Sequence, residues 1–389
     1  GRYLTYLFVS CIKPIGMILR PYLLIFSVII LFSCSKPKTE EATTSAPDPF
    51  ANMDPYWNKI EPGGESICST GTPYAFYFHP GDSKKVMVYF DGGGACWFRE
   101  NCDPKLKTIT HTPFVIDSID NPGLKNAGIT GASWGGIFDL DNPENPVKDY
   151  SILMIPYCTA DTHLGAKMTT YRQDTLDPQT IDIHHKGYIN TMAALNWLND
   201  RIDNPEKIFV TGVSAGSLAS PVYTGYLAGK YPNARVVQLG DASGGYQSKA
   251  ISDIFSAWGG AQVFDSIYPD RDTTLVPNFE NYFRWAQSAC PNVRFSQYNA
   301  AFDDVQAFFL GLLGEQGKTI DQTILENTAY LEKHLPEFRH YIDSGKHHGL
   351  IIRDQFYTTT INGVKFKDWF TSLIDGEPVE NVVCDSCYD

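Results

Sequence analysis

The sequence has few basic residues and no place where they gather. Its 389 residues contain 31 Lys and Arg against 44 Asp and Glu, which gives a formal net charge of −13 at pH 7. A protein that binds nucleic acid needs a basic surface for the phosphates. Because the chain offers no cluster of Lys and Arg, we expect no nucleic-acid partner.

The sequence also lacks internal repeats and long hydrophobic runs. Its longest apolar stretch, residues 22–32, is too short to span a bilayer comfortably. Arg20 precedes this stretch, and the order of a basic residue, a short apolar run and small residues is typical of a secretory signal. The ending LFSC, residues 31–34, resembles the lipobox of bacterial lipoproteins, in which the cysteine is acylated.

We therefore expect an exported protein of bacterial type, with the true start at Met17. It would be either a lipoprotein anchored in the membrane through a lipid on Cys34 or a periplasmic or extracellular protein. Residues 1–33 are predicted to be the signal peptide and residues 34–55, which are polar and rich in Pro, Thr and Ala, a flexible tether. Residues 56–389 show no second linker and are predicted to form one domain.

Cysteines are few, and an odd number of them follows Cys34. Cys384-x-x-Cys387 has neither a second C-x-x-C nor a nearby histidine, so a terminal disulfide is favoured over a zinc or redox site. Export permits disulfides, and an odd number leaves at least one cysteine free or paired elsewhere. The seven cysteines that follow Cys34 are Cys68, Cys96, Cys102, Cys158, Cys290, Cys384 and Cys387.

Short apolar runs rich in β-branched residues alternate with helical patterns along the chain. This order predicts an α/β fold of the α/β-hydrolase type, a mostly parallel sheet flanked by helices. The predicted strands are Val86–Phe90, Ile152–Pro156, Ile208–Val213, Val236–Leu239 and Val293–Tyr298.

Ser214 is the candidate nucleophile. It is the serine of a G-x-S-x-G motif, Gly212–Gly216, which follows a predicted buried strand and precedes a helical pattern. This strand-turn-helix setting is that of a nucleophile elbow, in which the turn exposes the serine hydroxyl. Pro221 fits the helix interior poorly, so we expect a kink or a late helix start.

Three consecutive glycines are the candidate oxyanion site. Gly92, Gly93 and Gly94 follow the strand that ends at Phe90, and such a loop lets backbone N–H groups approach a substrate. We expect the N–H groups of Gly93, Gly94 and Ala215 to bind the oxyanion.

Few histidines are available to serve as the base. In α/β-hydrolases the histidine follows the serine in the chain, and only four do so here. His334 and His340 lie in a helix-like stretch and are predicted to be surface residues, whereas His347 and His348 lie in a glycine-flanked turn that suits a catalytic loop.

The acid of a triad has competing candidates. Asp241 follows one predicted strand, and Asp303 and Asp304 follow the next. Sequence spacing does not separate them.

The residues that could form a metal site are Asp161, His163, His184 and His185. No H-E-x-x-H motif is present, and adjacent histidines point in different directions on a helix or strand. We expect no metal and no cofactor.

Several motifs in order resemble the pectin acetylesterase and Notum family of secreted carboxylesterases: YFDGGGACWFRENC, IPYCTADTHLG, HHKGYIN, VTGVSAGS and NAAFDDVQ. The resemblance implies Ser214 as nucleophile, Asp303 as acid and His348 as base, and it suggests disulfides Cys96–Cys102 and Cys68–Cys158. Ala95 stands where many pectin-type members have Trp.

The resemblance implies a serine carboxylesterase that removes O-acyl groups, above all O-acetyl groups, from a glycan such as pectin. Alternatives are a lipid or short-acyl esterase of Notum type and an inactive carbohydrate-binding homologue. Loss of residues 1–33 would make the net charge three units more negative, which would repel polygalacturonate. Because pectin is then not the only candidate, we expect the substrate to be either an acylated carbohydrate or a small ester.

Overall fold

The computed structural model describes residues 49–115, 135–172, 179–385 and 387. The predicted signal peptide, Cys34 and most of the predicted tether lie outside these residues. Phe50, at the end of the predicted tether, is buried against Phe78, with 4.7 Å between ring centroids. No helix within the described ranges is long and apolar enough to cross a membrane.

Strands and helices alternate through the described residues. The strands are β1 Asn58–Ile60, β2 Phe76–His79, β3 Asp82–Phe90, β4 Tyr150–Ile155, β5 Lys167–Arg172, β6 Thr180–His185, β7 Lys207–Val213, β8 Arg235–Asp241, β9 Ser296–Ala300, β10 Arg339–Asp343, β11 Thr360–Ile361, β12 Val364–Lys365 and β13 Val382–Val383. The α-helices are α1 Arg99–Cys102, α2 Gly187–Asn199, α3 Ala215–Lys230, α4 Ala250–Ala257, α5 Gly260–Ile267, α6 Phe279–Ala289, α7 Asp304–Leu312, α8 Ile320–His334 and α9 Phe366–Asp375. Short 3₁₀ helices cover Gly136–Phe138 and Asp354–Tyr357.

Nine strands form one sheet in the order β1-β2-β4-β3-β7-β8-β9-β10-β13. The strands from β4 to β13 in this order pair in parallel, and β1 and β2 pair antiparallel at one edge. The five predicted strands overlap β3, β4, β7, β8 and β9. The predicted fold class, a mostly parallel sheet flanked by helices as in α/β-hydrolases, is confirmed.

The central strands are buried on both faces, as β3 illustrates. Val86, Val88 and Phe90 pack into the core shared with α3 and α6, while Met87 and Tyr89 pack into the core shared with α9. Full burial of side chains of this kind stabilises the fold by about 1.5–3 kcal/mol each. The continuous apolar runs seen in the sequence are therefore those of strands covered by helices on both sides.

Helix α3 contains a proline and still begins directly after the elbow. Pro221 has no N–H to donate to the carbonyl of Ser217, one turn earlier. The Ser220 hydroxyl donates to that carbonyl instead, at 2.8 Å, and in turn accepts from the side-chain amide of Gln238 at 2.7 Å. The expected late start is wrong, because α3 begins at Ala215.

Three disulfides link cysteines of the described ranges, Cys68–Cys158, Cys96–Cys102 and Cys384–Cys387. The first two are the pairs that the resemblance implied, and the third is the expected terminal link. Cys96–Cys102 closes the loop that directly follows the three glycines, so it restricts the chain beside them.

Candidate active site

Ser214 occupies a strained turn between β7 and α3. Its φ of 57° and ψ of −121° are rarely adopted by residues other than glycine. A Cβ on Gly212 or Gly216 would lie 2.6 or 2.0 Å from the carbonyl oxygen of Phe90. Both glycines are therefore needed for the close approach of the turn to the end of β3, as in a nucleophile elbow.

His348 and Asp303 form a partly buried hydrogen bond. Nδ1 of His348 lies 2.7 Å from Oδ2 of Asp303, and the Asp303 carboxylate is fully buried. Because Nδ1 donates to the carboxylate, Nε2 is left with its lone pair. Nε2 of His348 is buried and has no hydrogen-bond partner in the described part of the chain.

The Asp303 carboxylate also caps helix α7. Its Oδ1 accepts from the N–H groups of Val305 and Gln306 at 2.9 and 3.0 Å, and its Oδ2 accepts from the Gln306 side-chain amide at 3.0 Å. The helix N-terminus favours a negative charge at this position. The cap therefore fixes the carboxylate that His348 contacts.

Asp241, the other candidate acid, has different partners. Its Oδ2 accepts from the backbone N–H groups of Leu350 and Ile351 at 2.7 and 2.8 Å. Burial raises the pKa of Asp241 to about 7, while these two bonds oppose the rise. Asp241 thus anchors the chain just after His348 and makes no hydrogen bond with the imidazole among the described contacts.

The remaining histidines of the C-terminal half lie elsewhere. His347 contacts the hydroxyl of Tyr298 through Nε2 at 2.7 Å. His334 ends α8 as expected of a helical residue, but the prediction that His340 is a surface residue of a helix is wrong: it lies on β10 and is buried. Pro336 interrupts the helical pattern between them.

The three-glycine loop follows β3 and lies beside Ser214. A Cβ on Gly92 would be 3.1 Å from Cβ of Ser214, and one on Gly94, whose φ is 78°, would be 1.8 Å from the carbonyl oxygen of Thr110. In the described part of the chain, the N–H groups of Gly93 and Gly94 donate to no protein acceptor. The N–H of Ala215, in the first turn of α3, has no intrahelical acceptor. Among the described residues, these three donors have no acceptor that a ligand oxygen would have to displace.

An apolar pocket opens at Ser214. Its empty space is about 420 Å³, counting the part that opens to solvent, and Gly94, Thr162 and Ala215 also line it. Sequence reasoning missed this pocket because its residues are scattered over more than 200 positions. Apart from Ser214 and the candidate oxyanion residues Gly94 and Ala215, the sequence indicated only Ala95 of the lining residues, as a departure from the family pattern. The apolar and aromatic lining residues are Ala95, Trp97, Leu218, Tyr246, Ile251, Ile254, Trp258, Phe279, Phe309 and Leu313.

Three of the four residues considered for a metal site are engaged with protein partners. Asp161 accepts from the Thr159 hydroxyl and the Gly187 N–H at 2.6 and 2.7 Å. His163 bonds the Asp91 carbonyl at 2.8 Å, and both ring nitrogens of His185 have partners. Within the described ranges, no group of three His, Cys, Asp or Glu residues could hold a metal ion.

Comparisons with known proteins agree with this architecture. The family model described as pectinacetylesterase matches residues 60–272, more than half of the chain. This range contains Gly93, Gly94, Ser214 and Ala215 and ends before Asp303 and His348.

The curated relatives match parts of this chain. Palmitoleoyl-protein carboxylesterase notum1a of Danio rerio is 26% identical over 150 residues, 38% of this chain and 27% of that protein. Palmitoleoyl-protein carboxylesterase NOTUM of Homo sapiens is 28% identical over 109 residues, 28% of this chain and 20% of that protein.

Pectin acetylesterase 4 of Arabidopsis thaliana is 21% identical over 251 residues, 61% of this chain and 57% of that protein. The chain thus spans between a fifth and three fifths of the length of these relatives. With the family model matching over more than half of its residues, the chain belongs to the pectinacetylesterase family.

Proposed function

We propose that the protein is a serine carboxylesterase in which Ser214 is the nucleophile, His348 the general base and Asp303 the acid. The observation that carries the proposal is the hydrogen bond between His348 and the buried Asp303, which leaves Nε2 of His348 without a partner among the described residues. The glycine loop, the elbow, Asp303 and the loop of His348 follow β3, β7, β9 and β10. These strands run parallel, so the four segments all lie at the carboxyl ends of the strands.

The proposed reaction has two steps. In the first, Ser214 Oγ attacks the ester carbonyl carbon while His348 Nε2 takes the hydroxyl proton, and His348 then gives this proton to the leaving alcohol. In the second, water attacks the acyl-serine while His348 takes a proton from it, and His348 then gives this proton to Ser214 Oγ as the carboxylic acid leaves. Asp303 stabilises the imidazolium in both steps.

The oxyanion formed in each step is proposed to bind the N–H groups of Gly93, Gly94 and Ala215. These donors lie at the end of β3 and in the first turn of α3, where the positive end of the helix dipole adds to them. Their fixed backbone positions favour the developing charge over the neutral carbonyl.

The proposed substrate is an O-acyl ester, with O-acetyl groups on a glycan as the first candidate. The apolar lining of the pocket favours a second candidate, an ester with a longer uncharged acyl chain, because apolar area gains free energy on burial. The relatives named pectin acetylesterase and palmitoleoyl-protein carboxylesterase fall into these two classes. The net charge of −13 disfavours a polyanionic glycan.

Export is part of the proposal. Three disulfides are expected of proteins in oxidising compartments outside the cytosol. A lipid on Cys34 would add attachment to a membrane, and labelling with a radioactive fatty acid in a bacterial host, against a Cys34→Ser control, would test it.

The first test is ester hydrolysis by the protein made with its disulfides. p-Nitrophenyl esters from acetate to long chains would be offered to the wild type and to Ser214→Ala, with Ser266→Ala, an exposed serine on α5, as the matched control. We expect Ser214→Ala to remove nearly all turnover and Ser266→Ala to leave it unchanged, with and without EDTA.

The same assay separates the alternatives. A maximum at acetate would support acetylesterase activity, and a maximum at longer chains would support the second candidate. Activity retained by Ser214→Ala or abolished by EDTA would contradict the serine mechanism, and no activity on any ester would favour a binding protein.

A further inference from the structure

Thr162 has an unusual backbone conformation in the turn after β4. Its φ is 52°, and its neighbours Ala160 and His163 have φ of 61° and 59°. A β-branched side chain in this left-handed region is crowded against its own backbone, and glycine would avoid the crowding. Conformations of this kind cluster at functional sites.

The turn is fixed against the candidate oxyanion loop. The N–H of Thr162 donates to the hydroxyl of Tyr157 at 2.7 Å, and a Cβ on Gly93 would lie 2.8 Å from the Tyr157 ring. His163 Nε2 bonds the carbonyl of Asp91 at 2.8 Å. Thr162 is therefore held in a constant position relative to the glycines.

The hydroxyl of Thr162 has no hydrogen-bond partner among the described residues. Its Oγ1 is buried and makes no hydrogen bond in the described part of the chain, although Thr162 lines the pocket together with Ser214, Gly94 and Ala215. The hydroxyls of Thr110 and Thr159 are bonded, at 2.7 and 2.6 Å. Leaving a buried hydroxyl unpaired costs folding free energy, so a ligand oxygen that met this hydroxyl would gain a hydrogen bond without displacing a described partner.

We propose that the Thr162 hydroxyl donates a hydrogen bond to the ester carbonyl oxygen as it becomes an oxyanion. It would be a side-chain donor beside the three backbone N–H groups, and it keeps its proton throughout the reaction. This inference rests on the proposed serine esterase mechanism.

The test removes the hydroxyl and keeps the shape, with Thr162→Val. We expect kcat on p-nitrophenyl esters to fall about 10²–10³-fold, with KM changed by less than about threefold because the neutral ester gains less from the donor. The inhibition constant of butylboronic acid, which forms an anionic tetrahedral adduct with a catalytic serine, should rise in parallel. The melting temperature should not fall, since an unpaired hydroxyl is removed.

Matched variants make the result decisive. Thr162→Ser should keep kcat within about tenfold, because the hydroxyl remains. Thr191→Val removes a buried hydroxyl on α2 that is not part of the pocket lining, and it should leave kcat unchanged. If Thr162→Val does not fold, Thr162→Ala gives the same comparison.

Two outcomes would overturn the inference. A kcat within about threefold of the wild type in Thr162→Val would show that the hydroxyl does not assist, while loss of turnover in Ser214→Ala would leave the esterase proposal standing. An equal loss of turnover in Thr162→Val and Thr162→Ser would show a packing role. If the wild type had no turnover that depends on Ser214, both proposals would fail together.

Discussion

Asp241 and Asp303 are buried carboxylates near the ends of neighbouring parallel strands, yet their partners differ. Asp241 ends β8 and uses one oxygen to bind two backbone N–H groups beyond His348. Asp303 follows β9, caps α7 with one oxygen and meets His348 with the other. Position in the fold makes them equivalent candidates, and the hydrogen-bond partners distinguish them.

The hydrogen-bond donors around the two carboxylates also differ. Asp303 accepts hydrogen bonds from the first turn of α7 and from the side-chain amide of Gln306. Oδ1 of Asp241 has no partner among the described residues, and burial raises the pKa of this carboxyl to about 7. We infer that Asp303 stabilises the imidazolium of His348, and that Asp241 holds the chain after His348 in place.

The largest expected effect comes from Asp303→Asn. The amide cannot stabilise the imidazolium and can impose the wrong tautomer on His348, so we expect kcat to fall on the order of 10⁴-fold with KM little changed. Hydrolysis of p-nitrophenyl acetate and far-ultraviolet circular dichroism would separate lost chemistry from lost folding. If Asp303→Asn left kcat unchanged while Asp241→Asn lowered it strongly, the roles of the two carboxylates would be reversed.

Asp241→Asn should have a smaller effect on the reaction. The amide oxygen can still accept from the N–H groups of Leu350 and Ile351, so the chain after His348 keeps its anchor and kcat should stay within about tenfold of the wild type. A loss approaching that of Asp303→Asn would show that the charge at Asp241 takes part in catalysis.

The stability of Asp241→Asn should depend on pH differently from that of the wild type. In the wild type the folded pKa of about 7 lies above the unfolded value near 3.9. The folded state therefore binds more protons, and the contribution of Asp241 is fully present below about pH 4 and is lost as pH rises through about 7.

The asparagine does not titrate, so the free energy of unfolding of the wild type relative to the variant should fall by a few kcal/mol between about pH 4.5 and about pH 8. Urea unfolding at both pH values would measure this difference, with Asp200→Asn, an exposed residue after α2, as the control. A difference independent of pH would contradict the raised pKa of Asp241.

The sequence was sufficient for the fold and for the local turns of the site. Strands such as β3 and β7 are covered on both faces, so they appear as continuous apolar runs that pattern alone can identify. The elbow around Ser214 and the glycine loop are equally local, because each is marked by glycines within a few residues of one another.

Contacts between distant segments could not be read in this way. The pairing of His348 with Asp303 joins residues 45 positions apart, and only the family resemblance selected it over Asp241. The prediction for His340 fails because it extends the helix across Pro336, whereas α8 ends at His334 and the chain enters β10 at Arg339. The conformation of Thr162 leaves no mark in the sequence, since it depends on contacts with Tyr157 and the glycine loop.

The smallest expected effect extends the comparison to the neighbouring histidine. His347 bonds the hydroxyl of Tyr298, which donates to Asp343, so this second histidine also has an acid nearby. His347→Gln would remove one anchor of the loop and leave the bond between Tyr298 and Asp343, and a net hydrogen bond contributes about 0.5–1.5 kcal/mol to the free energy of unfolding.

We therefore expect His347→Gln to lower kcat by no more than about threefold and to shift the melting temperature slightly downward. Tyr298→Phe is the companion variant: it removes the contact with His347 together with the bond to Asp343, so it should have a similar effect on kcat and lower the melting temperature further. A loss in His347→Gln as large as that in Asp303→Asn would move the general base from His348 to His347. If the kcat of His347→Gln instead stays within about threefold of the wild type, a nearby buried acid is not sufficient to make a histidine the general base. The position of the histidine beside the elbow then decides which of the two histidines can act as the base.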